Sequence, residues 1–105
     1  MPQYAILQSH PPDNCPMTNR AVREFALKNL PELPAKAEKA GVKVLLNIHL
    51  DPAHKAMLLL DAPSAEVARD LLFDAGFMHF TEMEFYLVTP IEELIQKTVD
   101  VPTVY

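Results

Sequence analysis

Cysteine is almost absent from this chain: Cys15 is the only one in 105 residues. No disulfide can form within the chain, and a reducing compartment is the simplest setting. Glycine is nearly as scarce, with only Gly41 and Gly76, so there is no glycine-rich loop to cradle a nucleotide phosphate. Clustered basic residues are missing too. Lys and Arg number 9 against 14 Asp and Glu, for a formal net charge of −5, and no stretch interleaves cations with aromatics as nucleic-acid binding requires. Nucleic acid is therefore not an expected partner. The longest apolar runs, such as residues 56–60, fall far short of a bilayer span, so no membrane is expected either. The first residues, Met1-Pro2-Gln3-Tyr4-Ala5, lack the basic start and apolar stretch of a secretory leader, which points to the cytoplasm. The few serines lie outside any nucleophile elbow, which disfavours a Ser-His-Asp hydrolase.

What the chain does contain is the patterning of one small α+β domain spanning 1–105. Residues 3–10 read as a strand ended by Pro11-Pro12. Thr18 is placed to cap a helix whose apolar stripe is Val22, Phe25, Ala26 and Leu30. Pro31 and Pro34 must break that helix, making residues 33–40 a separate segment that stops at Gly41. Residues 42–50 and 55–60 form a hairpin around Asp51-Pro52-Ala53-His54. Ser64 caps the next helix, striped by Val67, Ala68, Leu71, Leu72 and Ala75, with Gly76 as its stop. Residues 82–88 alternate as a fourth strand. Thr89-Pro90-Ile91-Glu92 reads as a capping box with proline at the first helical position, opening a short helix over about 90–97 before the tail 98–105.

This order, βαββαβ, is that of a ferredoxin-like fold: a four-stranded antiparallel sheet in the order 4-1-3-2, with the helices on one face. Strand alternation puts Tyr4, Ile6, Gln8 and His10, Leu45, Asn47 and His49, and Glu84 and Tyr86 on the other face. A face of that mixed character is commonly buried against a second copy, as in dimeric α/β-barrel assemblies. A homodimer or higher homo-oligomer is expected, with Tyr4, Gln8, Asn47, Glu84 and Tyr86 lining a cavity between subunits.

The topology also gathers the chain's metal-capable side chains at one end of the sheet. His10 closes the first strand, Cys15 follows it, His49 ends the second, His54 leads into the third and His79 precedes the fourth. Imidazole with thiolate suits Ni, Zn, Cu or Fe. His49 and His79 belong to opposite edge strands, three spacings or roughly 14 Å apart, and cannot share an ion within one subunit. The groupings expected are His10 with Cys15 and His79, and His49 with His54. Each residue has a plainer reading as well: His54 and His79 as solvated loop residues, His10 and His49 as interface imidazoles, Cys15 as a small buried side chain. Glu82 and Glu84 share a strand face, where Glu84 would serve as acid or base and Glu82 would discourage edge pairing.

The segment Lys55-Ala56-Met57-Leu58-Leu59-Leu60-Asp61-Ala62-Pro63-Ser64-Ala65-Glu66-Val67, with Arg69 and Ala75-Gly76-Phe77, resembles the second half of small ferredoxin-like proteins that include nickel-binding members. The likeness covers about a third of the chain, and His49 is the position nearest to that family's histidine at the end of the second strand. It implies a binding protein for a transition metal or small ligand. The alternatives are a dimeric α/β-barrel enzyme of oxygenase or isomerase type, using His10, His49 or Glu84 and haem-binding if an imidazole faces the cavity, and a structural or regulatory oligomer without ligand.

Overall fold

The first strand, β1, covers Gln3–Ser9 in the computed structural model, which describes residues 1–105. It ends in a 3-10 turn, Pro12–Asn14, followed by the turn from Cys15 into helix α1, Arg20–Asn29. The cap of α1 is Asn19 and not Thr18: the Asn19 side chain accepts from the Val22 amide at 3.0 Å. Thr18 instead donates its hydroxyl to Pro12 O, closing the preceding turn. Pro31 falls in a second 3-10 turn, Leu30–Glu32, and Pro34 in the first turn of α2, Leu33–Ala40, where its missing N–H costs nothing. Gly41 takes the left-handed conformation that ends α2.

The hairpin strands are β2, Lys43–Leu50, and β3, Lys55–Asp61. Helix α3, Ala65–Ala75, is capped by Ser64 and ends at Gly76, whose φ is +85°. A Cβ on Gly76 would lie 2.5 Å from Phe25 Cζ, so this position also permits the close packing of α1 against the end of α3. Strand β4, Glu82–Val88, is followed by helix α4, Ile91–Thr98. Pro90 sits at the N-cap with no side-chain capping bond, so the expected capping box is not formed.

The four strands form one antiparallel sheet in the order β2-β3-β1-β4, which read from the other edge is 4-1-3-2. One cluster of 15 buried residues fills the space between it and α1, α2 and α3. Ile6, Leu58, Leu60 and Leu72 are its largest fully enclosed side chains, each contributing about 1.5–3 kcal/mol relative to exposure.

The phase of β1 is the reverse of the expected one. Tyr4 and Ile6 lie opposite Leu60 and Leu58 and belong to the core beneath the helices. Both phases of β1 carry apolar residues, Tyr4 and Ile6 in one, Ala5 and Leu7 in the other, and the larger pair goes inside. Because the side-chain period is two, that choice moves Gln8 to the helix side as well. In β2 a bulge between Val44 and Leu46 breaks the alternation. Leu45 therefore drops out of phase with Asn47 and His49, which pair with Leu58 and Ala56 on the helix side. The uncovered face carries Leu7, Ile48, Met57, Leu59, Glu84 and Tyr86.

Helix α4 buries no residue. The radius of gyration, 16.4 Å, exceeds the roughly 13 Å of a compact chain this long, in keeping with a C-terminal arm that leaves the body. No helix is long and apolar enough to cross a membrane.

Candidate metal centre and its chamber

The ladder between β1 and β3 runs from Gln3–Asp61 to Ser9–Lys55, and one rung further on His10 meets His54. The His10 amide donates to the His54 carbonyl at 3.2 Å, and the two imidazoles meet edge to face with centroids 5.5 Å apart. His54 has φ +52°, the left-handed region that a non-glycine residue occupies at a cost, and such outliers cluster where geometry serves a site.

Cys15 is brought to the same place by the turn after β1. Its amide donates to Pro12 O, its carbonyl accepts from the amides of Thr18 and Asn19, and its Sγ accepts from the Met17 amide at 3.4 Å. Asn14 anchors this loop to the turn before β4 by donating to Phe80 O at 2.9 Å. The thiol is buried at 3% exposure.

One ligand atom from each of His10, Cys15 and His54 lies within 4.8 Å of the others. A tetrahedral ion at ordinary metal–nitrogen and metal–sulfur lengths needs roughly 3.3–3.7 Å between donors, so side-chain rotations of about an ångström would close the set. His10 Nε2 is buried with no hydrogen-bond partner, an orphaned acceptor or donor of the kind that a metal or ligand satisfies. Burial first, then the neighbouring His54 and His49, holds the His10 pKa below its ordinary value of 6.5. The neutral, ligating form is favoured.

Of these donors His10 and Cys15 line a chamber of about 320 Å³, and His54 stands behind them outside its lining. Gln8, Asn47, Ala56 and the His49–Asp51 pair stand on its sheet side, and Phe77, Phe80, Leu30 and Leu33 supply apolar wall. His49 Nδ1 bonds the Asp51 carboxylate, an arrangement that fixes an imidazole's orientation and tautomer.

The five expected ligands thus divide. His10 and Cys15 cluster with His54, not with His79. His49 is not in that cluster but lines the same chamber. His79 is exposed and stacks edge-on against Phe25 at 5.0 Å, outside the chamber. The residues expected to line an inter-subunit cavity divide as well. Gln8 and Asn47 line the intramolecular chamber, while Tyr4 is a core residue packed against Phe85. Glu84 and Tyr86 lie on the uncovered face, where Tyr86 donates to Glu84 at 2.6 Å and that bond raises the Tyr86 pKa. Sequence reasoning missed the meeting of His10 with His54, although strand order with Ser9 opposite Lys55 implies it. The apolar run 76–80 supplies Phe77 and Phe80, which close the end of the core and wall the chamber at once.

No protein-family model matches the chain, and no curated protein matches it either, so the geometry of this centre carries the functional reading.

Proposed function

We propose that the protein binds a transition-metal ion through His10, Cys15 and His54. The observation that carries this reading is the convergence of two imidazoles and a buried thiol within 4.8 Å, with one imidazole nitrogen lacking any other partner. Two nitrogens and one sulfur suit Zn, Ni, Cu or Fe, and nickel is the ion that the family resemblance suggests. Three protein ligands would leave a fourth coordination position open, as in sites that bind an exogenous molecule. A free thiolate ligand fits a reducing cytoplasm. The apolar centre of the uncovered sheet face supports a homodimer of the α/β-barrel kind. The role is that of sensor, carrier or store.

A second reading, a small enzyme, is favoured by the His49–Asp51 pair at the chamber, an acid–base unit beside an open coordination position. Glu84, away from the chamber, has no part in it.

The test is elemental analysis of protein purified without a histidine tag or chelator, with the same analysis on His10→Ala, Cys15→Ala and His54→Ala. About one ion per chain in the parent and loss in each variant is expected; His79→Ala should retain it. Metal retained by all three variants would overturn the assignment.

A further inference from the structure

Gln8 is the one buried polar residue of the core, at 6% exposure, and its carboxamide forms no hydrogen bond with any protein group. Its polar atoms are not sealed from solvent as His10 Nε2 is, so the carboxamide is free to meet a ligand. It lines the chamber that His10 and Cys15 also line. In the same rung of the sheet Gln8 pairs with Ala56, and Ala56 pairs with His49. The small side chain between two long polar ones creates a trough of two strand spacings, roughly 10 Å, with a carboxamide at one side and an imidazole at the other.

We propose that this chamber binds a small organic carboxylate, its carboxylate on the open position of the metal and its remaining polar group on the Gln8 carboxamide. The proposal rests on the metal-binding reading. Charge selects the class: a divalent ion held by one thiolate and two neutral imidazoles keeps one net positive charge, which favours a carboxylate over a neutral ligand. Asp51 is the one carboxylate of the lining, so attraction for an anion comes from the metal and not from the protein's own charges. With a net charge of −5, the chain has no other reason to attract an anion, so binding depends on the metal. Size selects within the class. At about 30 Å³ for a water-sized group, 320 Å³ admits roughly ten non-hydrogen atoms, which suits a hydroxy- or oxo-acid of three or four carbons. Phe77 and Phe80 would pack on its carbon skeleton.

The experiment uses full-length protein loaded with Co(II), whose absorption reports the coordination sphere, titrated with lactate, malate and the neutral analogue lactamide. Lactate or malate should change the spectrum saturably, at least tenfold more tightly than lactamide, and neither should bind metal-free protein. Gln8→Met, which keeps the volume and removes the donor and acceptor, should weaken binding by tenfold or more with cobalt stoichiometry unchanged. Ala56→Leu, which fills the trough without touching a ligand residue, should abolish it. A cobalt spectrum unmoved by the carboxylates on fully loaded protein, or equal affinity in parent and Gln8→Met, would overturn the ligand proposal and leave the metal reading standing. Failure of cobalt to load at all would overturn both.

Discussion

The backbone amide of His10 donates to the carbonyl of His54 at 3.2 Å, extending the β1–β3 ladder by one rung beyond its last strand pair. That bond does more than end a strand. It sets two imidazoles edge to face, within 4.8 Å of the thiol that the following turn supplies from Cys15. On the metal-binding reading proposed above, an ion here would be tied to the pairing of the two central strands and should stabilise the fold.

His54 holds a left-handed backbone conformation that glycine adopts freely. His54→Gly should therefore leave the metal-free protein at least as stable as the parent, by up to about 1 kcal/mol, while removing the rise in Tm that added metal produces. Thermal melts with and without Ni or Zn check this. A variant that keeps the metal-dependent rise would show that His54 is not a ligand.

The depressed pKa of His10 makes stability depend on pH with a definite sign. Above 6.5 the imidazole is neutral in both folded and unfolded chains, and its full contribution to stability is present. As pH falls below 6.5 the unfolded chain takes up a proton that the folded one resists, so stability is lost progressively down to the lower folded value. Urea unfolding of metal-free protein between pH 7.5 and 5 should show this decline, and His10→Gln should flatten it. An unchanged slope in the variant would assign the decline to another group.

Gly76 and Gly41 both have positive φ, but only Gly76 faces a neighbour, with Phe25 Cζ 2.5 Å from a would-be Cβ. Gly41→Ala should cost about 1 kcal/mol from the backbone alone, and Gly76→Ala about 2 kcal/mol or more. Denaturant midpoints of the two variants check the difference; equal losses would mean that Phe25 moves aside freely.

Helix α4 presents Ile91, Leu94 and Ile95 to solvent and buries nothing. On the proposed homodimer, removing residues 89–105 should leave the melting of the body within about 0.5 kcal/mol and lower the number of copies per particle in solution. Light scattering at several concentrations measures this. An unchanged number would exclude the arm from the interface between copies.

The order of elements, the helix stops at Gly41 and Gly76, the break at the prolines and the strand order were legible in the residues, because local chemistry decides them: φ, a missing N–H, a side-chain cap, the period of apolar residues. So was the collection of His10, Cys15, His49 and His54 at one end of the sheet. Tertiary packing decided the rest. Both phases of β1 are apolar, so only the match of Tyr4 and Ile6 to Leu60 and Leu58 placed Gln8 inside. A bulge after Val44, invisible to alternation, turned Asn47 and His49 toward the helices. Register then selected His54 over His79 as the partner of His10, because a ladder juxtaposes residues across strands according to pairing and not to distance along the chain.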